Sequence, residues 1–239
     1  MKRLTFLTTF LLLCTISVAQ NIQVLYDFGG NIYKGLDKRP TVTTTAEMFR
    51  ADKFGSTYIS IDLDYNKQVT GAYWEIAREF CFWQNSRMDW LSIHAEYNGG
   101  CTTTGSFNNS WLAGLTYSGH SKDYSKTWSL SAMYKLIPGT KNSIGESDIH
   151  NFQITGAWGI DFANGWLTNS GFIDFWREYN PVLQKSYILL AEIQLWVNLN
   201  RIKGWDNIPL SIGSEIRLSN NFVGCGFYAI PTLAAKWTF

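Results

Sequence analysis

Carboxylates and aromatic rings recur at every second position along much of this 239-residue chain. Within residues 57–65, for example, Asp62 and Asp64 alternate with the apolar Ile61 and Leu63. Carboxylate oxygens accept hydrogen bonds from hydroxyl groups, and aromatic rings stack on the flat faces of bases and sugars. A surface that combines the two is suited to binding a neutral, flat solute that is rich in hydroxyl groups.

The candidate binding residues are members of this polar set that lie inside predicted strands. They are Asp62, Asp64, Glu75, Glu79, Glu96, Phe172, Asp174, Trp176, Glu192, Trp196 and Glu215. The same set also contains Asp27, Glu47, Tyr58, Tyr73, Trp90, Asp161 and Tyr228, with the basic Lys135, Arg217 and Lys236. Two interpretations stay open: the set lines an aqueous passage for a solute, or its side chains fill the interior and pair with one another.

Three histidines could supply a general base: His94, His120 and His150. Nucleophilic catalysis needs such a base within hydrogen-bond reach of the attacking group. A lipid-modifying enzyme with His150 as its base, at the outer edge of a membrane, is therefore one alternative. However, the sequence has no Gly-x-Ser-x-Gly elbow and no histidine pair at metal-ligand spacing. We therefore expect no enzyme activity, no cofactor and no metal site.

The elements that position these residues are predicted to be β-strands, because apolar and polar residues alternate with a period of two. Turn signals such as residues 98–100 (NGG) and 163–165 (ANG) separate the runs, which favours antiparallel hairpins. The twelve predicted strands are residues 21–28, 41–49, 56–65, 71–83, 89–97, 109–118, 126–137, 151–162, 166–177, 186–199, 208–219 and 226–239. Most reach the roughly 9–11 residues that a tilted strand needs to cross a bilayer, whereas strands of soluble proteins average about five or six.

These strands predict an all-β fold: a twelve-stranded antiparallel transmembrane β-barrel that forms a single domain. A soluble β-sandwich is the alternative. The apolar set would face lipid, with aromatic residues near the strand ends, as Trp111 and Tyr117 are. Arg78 shares the outward parity of Ile76, so we expect a bulge or a register shift to turn it inward. The side taken by Arg177 is left open.

The composition and the N-terminal residues indicate where in the cell the protein is located. Charged residues make up 16% of the chain and the net charge is +1, so no footprint for nucleic-acid binding is visible. A basic start, an apolar run over residues 4–16 and small residues before Gln20 together indicate a cleavable signal peptide. We therefore predict a signal peptide at residues 1–19 and an outer-membrane barrel at residues 20–239. An uncleaved anchor is the alternative.

Three cysteines follow the predicted signal peptide: Cys81, Cys101 and Cys225. An odd number does not indicate a disulfide scaffold. Cys101 and Cys225 both fall in predicted loops at the same end of the barrel. A disulfide between them and free thiols are the two alternatives.

Several segments resemble an uncharacterised outer-membrane family of Bacteroidetes-type bacteria. They are residues 45–49 (TAEMF), 52–56 (DKFGS), 73–79 (YWEIARE), 171–178 (GFIDFWRE), 219–222 (SNNF) and 231–239 (PTLAAKWTF). That family is similar to the Tsx-like nucleoside-specific channel-forming proteins, which are twelve-stranded monomeric barrels. The resemblance implies a monomer that passes nucleosides or related small solutes. The last strand, ending on Phe239, resembles the signal that outer-membrane barrels present to their assembly machinery.

Together these observations predict an exported protein of the bacterial outer membrane. Its expected function is a porin-like channel through which small hydrophilic solutes diffuse, along an acidic and aromatic-lined lumen. A non-conducting structural or adhesive barrel is the alternative. The expected partners are outer-membrane lipid, a small solute and the barrel assembly machinery, and no nucleic acid.

Overall fold

The computed structural model describes residues 19–103, 105–106, 109–180 and 184–239. Residues 1–18 of the predicted signal peptide lie outside the described residues, and only Ala19 of that segment falls within them. Within these ranges, no helix combines the length and the apolar character that crossing a membrane requires.

The alternating runs form strands. These are β1 (Ala19–Asp27), β2 (Val42–Asp52), β3 (Gly55–Asn66), β4 (Gln68–Phe80), β5 (Leu91–Thr102), β6 (Gly105–Ser106), β7 (Ser110–His120), β8 (Lys126–Leu136), β9 (His150–Phe162), β10 (Leu167–Asn180), β11 (Lys185–Asn198), β12 (Leu210–Asn220) and β13 (Phe227–Thr238). The helical elements of the described chain are short: α1 (Gly29–Ile32) and the 3-10 turns Lys34–Leu36, Ala163–Gly165 and Leu199–Arg201.

The sheet closes on itself. Each long strand pairs antiparallel with its neighbours along the chain, and β1 also pairs with β13, from Asn21 opposite Thr238 to Asp27 opposite Thr232. β6 is a two-residue extension on the end of β5, which pairs directly with β7. The result is a closed twelve-stranded antiparallel barrel, as the sequence predicts. Closure leaves the long strands with no unpaired edge.

The two ends of the barrel can be named from the chain itself. At one end the backbone N–H of Phe239 donates to the carbonyl of Gln20 at 2.9 Å, and we call it the termini end. The opposite end carries the tight β3–β4 turn at Lys67 and is called the far end.

One predicted turn is wrong. The glycines at residues 98–100 do not end β5, which continues to Thr102 and keeps its pairing with β4. Gly99 lies opposite Trp74, and a Cβ atom at Gly99 would stand 2.6 Å from the indole Nε1. The glycine therefore provides room for a cross-strand tryptophan rather than a reversal of the chain.

The outward face is apolar, as predicted. Along β7 and β8 the exposed large apolar side chains are Trp111, Leu115, Tyr117, Trp128, Leu130 and Tyr134. Aromatic pairs lie near both ends of the barrel. Tyr97 contacts Trp111 near the far end with ring centroids 4.6 Å apart, and Trp90 contacts Tyr117 near the termini end at 5.6 Å. Such paired belts are typical of barrels that sit between two interfaces.

The prediction that Arg78 turns inward is wrong. The β3–β4 register is continuous around Arg78, and its one irregularity lies at the far end, between Asp64 and Tyr65. Arg78 stays on the outward face near the termini end, where its guanidinium donates to both oxygens of Asp52 at 2.8 and 2.9 Å and to Thr57 at 2.9 Å. A long side chain near a strand end can keep its charge at the interface.

Arg177 takes the outward side at the far end. It lies two residues after the exposed Phe175 and so shares its face, and its guanidinium donates to both oxygens of Asp148 at 2.8 and 2.9 Å. Trp90, predicted to face inward, instead precedes β5 and lies against the outward Tyr117. The alternation rule fails for Trp90 because that residue is not part of the strand.

The three described cysteines are free thiols, so the alternative of a Cys101–Cys225 disulfide is not realised. Cys81 is buried, Cys101 is half-buried and Cys225 is exposed.

Candidate functional site in the lumen

All eleven sequence-predicted site residues occupy inward positions on the strands. Asp62, Asp64, Glu75, Glu79, Phe172, Asp174 and Glu192 are half-buried, and Trp176, Trp196 and Glu215 are buried. The side chain of Glu96 is also largely buried. The inward parity explains this placement, because one face of every strand must point into the barrel.

Six of these acids, here called the lumenal carboxylates, are brought together from two opposite walls. They are Asp62, Glu75 and Glu96 on β3–β5, with Asp174, Glu192 and Glu215 on β10–β12. Glu75 interacts electrostatically with Glu96 and, across the lumen, with Asp174. Asp174 in turn interacts with Glu192, and so does Asp62. Like charges in this arrangement repel one another and favour counter-ions between them.

Arg217 is the nearest internal counter-ion. Its Nε donates to Glu192 Oε1 at 2.6 Å, and its Nη2 lies 3.6 Å from Glu215 Oε1. Glu215 Oε2 accepts a hydrogen bond from Gln194 at 3.0 Å, whereas Oε1 has no hydrogen-bond donor. The side chains of Arg217 and Glu192 keep 21% and 18% of their surface exposed, although both point inward.

A repeated cross-strand contact fixes the aspartates. In each case a threonine hydroxyl donates at 2.6 Å to an aspartate directly opposite on the next strand. The pairs are Thr43–Asp64, Thr45–Asp62, Thr155–Asp174 and Thr168–Asp161. One carboxylate oxygen of each aspartate is thereby held by a hydroxyl of the neighbouring strand. The sequence signal for this arrangement is a threonine on the inward parity of the neighbouring strand.

Removing one of these hydroxyls tests its contribution. We expect Thr45→Val to lower the free energy of unfolding by about 1.5 kcal/mol, at the low end for hydrogen bonds to charged groups because Asp62 is only half-buried. Urea unfolding of the refolded barrel in detergent micelles measures the change. Thr44→Val, an outward position on the same strand, is the matched control and should leave stability unchanged. Equal losses in the two variants would contradict the proposed role of the hydroxyl.

His94 organises a second acidic group near the termini end. Its Nδ1 lies 2.6 Å from Glu79 and its Nε2 lies 2.9 Å from Glu96. Both ring nitrogens can donate to carboxylates only in the imidazolium form, so this geometry favours a charged histidine. Glu79 also accepts from Thr116 at 2.9 Å and from Ser92. Sequence reasoning treated His94 only as a possible base and missed its role as a link between two carboxylates.

The two predicted tryptophans do not offer free faces for stacking. Trp196 has no exposed surface, packs with Leu25 and Ala234, and carries the Lys236 ammonium 4.3 Å from its ring centroid. Trp176 is 6% exposed, with the Lys135 ammonium 4.7 Å from its ring centroid. Each indole is therefore part of the packed wall and binds a cation of the protein itself.

Glutamine side chains bridge part of the interior. Gln194 on β11 donates to Gln23 on β1 at 3.3 Å, although β12 and β13 separate their strands, and Gln23 donates to Glu47 at 2.9 Å. The interior on this side is thus partly filled by side chains. On this side the polar side chains pair with one another, as the second interpretation of the polar set expects.

The segment between β1 and β2 folds against the inner wall at the far end. The Tyr33 hydroxyl donates to the carbonyl of Ala229 at 3.2 Å, and its ring meets Tyr228 with centroids 5.1 Å apart. Gly29 approaches the wall so closely that a Cβ atom would lie 2.7 Å from Asp27 Oδ1. This segment narrows the far mouth, and the alternation pattern gives no signal for it.

The other two histidines contact aromatic side chains. His150 Nδ1 is hydrogen-bonded to the Tyr134 hydroxyl, and His120 stacks on Tyr124 with ring centroids 4.0 Å apart. In the described ranges there is also no group of three or more His, Cys, Asp or Glu side chains that could hold a metal ion.

Several solved structures align with this chain over most of its length. A structure of the NanC porin aligns over 92% of this chain and 100% of its own, with 9% identity and a TM-score of 0.60. LpxR from Salmonella typhimurium aligns over 92% of this chain and 100% of its own at 10% identity and a TM-score of 0.48. The outer membrane protein Omp33 of Acinetobacter baumannii aligns over 93% and 98%, at 9% identity and a TM-score of 0.42. At such low identity the first likeness shows the fold alone.

No curated protein matches the chain at a significant level. A protein family does match, over residues 19–239, and its description is "Domain of unknown function (DUF5020)". The inward acids, the closed barrel and the apolar outer face described above are thus features of a member of the DUF5020 family, to which this chain belongs.

Proposed function

We propose that the protein is a monomeric channel of the bacterial outer membrane through which small hydrophilic solutes diffuse. The observation that carries the proposal is the pair Glu192 and Arg217, which points into the barrel and still keeps about a fifth of its surface exposed, at 18% and 21%. Charged groups on a lipid-facing surface would cost several kcal/mol near the bilayer centre, whereas a water-containing lumen accommodates them.

The outer surface supports the membrane location. It is apolar between two levels of aromatic pairs, and the outward arginines Arg78 and Arg177 lie near the ends of their strands. The predicted signal peptide, the final strand ending on Phe239 and the likeness to the NanC porin fold are all compatible with export and barrel assembly. In this proposal the termini end faces the periplasm and the far end faces outward.

The finer proposal concerns the solute. The resemblance to Tsx-like channels suggests nucleosides, and half-buried rings on the inward face, Tyr73 and Phe172, supply stacking surface near the lumenal carboxylates. The Tyr73 hydroxyl lies 3.4 Å from Glu75, so ring and acid can contact one solute together.

Planar-bilayer recording tests both levels of the proposal. Reconstituted protein should give stepwise conductance in KCl, and added adenosine or uridine should reduce the current. Phe172→Ala should weaken the block several-fold, while Phe175→Ala, an outward position on the same strand, should leave it unchanged. Conductance that no nucleoside affects would remove the solute assignment. Absence of conductance would remove the channel assignment.

A non-conducting structural barrel is the second candidate, and one observation favours it. The buried group of Leu25, Trp196 and Ala234 fills part of the interior, with Gln194 and Gln23 beside it. Liposome swelling in sugars of increasing size separates the two candidates, since a filled barrel gives no swelling at any size. We do not propose an enzyme, because the described partner of His150 is Tyr134 rather than a serine.

A further inference from the structure

The charge inside the barrel is unbalanced at the level of the lumenal carboxylates. These six acids face three cationic side chains: Arg217 on β12, Lys135 on β8 and His94 on β5, which lies 2.9 Å from Glu96. Lys236, a further described cation on the inner wall, lies over Trp196 nearer the termini end. A passage lined in this way carries a negative potential, because the low-dielectric barrel wall confines the field.

An unmet acceptor is a second and independent sign of this imbalance. Glu215 is 2% exposed, and its Oε1 has no hydrogen-bond donor, with Arg217 Nη2 no nearer than 3.6 Å. Arg217 is instead drawn to Glu192, to which both Nε and Nη2 come within 2.6 Å. The Arg217 guanidinium thus lies near two glutamates but is hydrogen-bonded to Glu192 alone. A buried carboxylate oxygen in this state favours a further positive group nearby.

The protein's own cations indicate which ligand chemistry suits the lumen. The Lys135 ammonium lies over the Trp176 ring at 4.7 Å and interacts with Asp174, and the Arg217 guanidinium lies between carboxylates. Aromatic faces and carboxylates are the partners that proteins use to bind ammonium and guanidinium groups. A solute that carries either group would meet the same partners.

We infer that the lumen selects for cations: it passes potassium and small organic cations bearing ammonium or guanidinium groups in preference to anions. The inference rests on the proposed channel function and names its class of solute. Rings of acidic side chains select cations in channels, because they concentrate positive ions and repel negative ones. Arg217, Lys135 and His94 lower this selectivity without abolishing it, since three cations face six carboxylates.

The zero-current potential across a bilayer in a KCl gradient tests the inference. In a cation-selective pore, potassium diffuses towards the dilute side and makes that side positive. We expect this sign, with potassium several-fold more permeant than chloride. Guanidinium chloride in place of KCl should give the same sign. An opposite sign or a zero potential, with conductance present, overturns the inference and leaves the channel standing. Absence of conductance overturns both.

Two double variants that each remove two carboxylate charges show which part of the protein determines the selectivity. Glu75→Gln combined with Asp174→Asn removes two facing carboxylates and should bring the permeability ratio close to one. Asp89→Asn combined with Asp206→Asn removes the same charge from exposed segments at the termini end and should leave the ratio unchanged. Equal ratios in the two double variants would overturn the assignment of selectivity to the lumen. If the first variant does not fold, the sign measured on the wild-type protein still decides the inference.

Discussion

Replacing Arg217 by alanine is expected to lower the free energy of unfolding by about 3 kcal/mol, the low end of the range for breaking a buried ion pair. The physical reason is the state of the two glutamates that remain. Glu192 loses a hydrogen bond of 2.6 Å, and Glu215 loses the cation that lies 3.6 Å from its unpaired Oε1. Urea unfolding of the refolded barrel, followed by tryptophan fluorescence, measures the change.

Two companion variants separate the ion pair from other effects of the substitution. Arg201→Ala removes an exposed arginine from the segment between β11 and β12 and should change stability little. Arg217→Ala combined with Glu192→Gln also removes the carboxylate charge that Arg217 would have paired. The double variant should therefore recover part of the lost free energy of unfolding. If the double variant is no more stable than Arg217→Ala alone, the loss does not arise from unpaired charge.

Replacing Trp196 by alanine is expected to cost about 3–5 kcal/mol, as for other large aromatic side chains removed from a packed interior. Trp196 is fully buried, contacts Leu25 and Ala234, and donates from Nε1 to Gln194 at 3.0 Å. The same substitution empties part of the lumen near the termini end. Single-channel conductance should therefore rise in the variant, provided that it folds.

The control for Trp196 is a tryptophan outside the lumen. Trp205 lies in the segment between β11 and β12 and is 42% exposed, so Trp205→Ala should cost much less stability and leave conductance unchanged. A conductance that stays constant in Trp196→Ala would mean that this side chain does not limit the passage. A stability loss equal to that of the control would mean that its packing contributes little.

The strands and the inward residues could be predicted because successive side chains of a strand face different media, one apolar and one polar. A side chain on β3 or β10 faces either an apolar or a polar medium, and the sequence must match that choice position by position. The inward placement of Asp62, Asp174 and Glu192 can therefore be predicted from the alternation alone, without knowing which residues they contact.

Partners are harder to predict because they depend on how the barrel closes. The bond between Gln194 and Gln23 spans two intervening strands, and it follows from the stagger of the whole sheet rather than from either strand. The ammonium groups over Trp176 and Trp196 are likewise contacts between strands, which alternation does not report.

Arg78 shows the limit of the alternation rule in another way. We expected Arg78 to face inward because a charge on the outer face of a barrel is unfavourable in lipid. The pairing with Asp52 depends on the short β2–β3 connection, which brings the two side chains together at the strand ends. Depth along the strand, rather than parity, decides whether an outward charge is tolerated.

The pairing of β1 with β13 has a consequence for how the molecule is made. One neighbour of β1 is β2, the next strand along the chain, and the other is β13, the last strand of the barrel. Every shorter chain therefore presents two unsatisfied strand edges, which are the features most prone to aggregation. Contacts of such large sequence separation also form slowly. Closure of the barrel thus depends on its last strand, and a chain that lacks β13 is expected to aggregate more readily than the complete barrel.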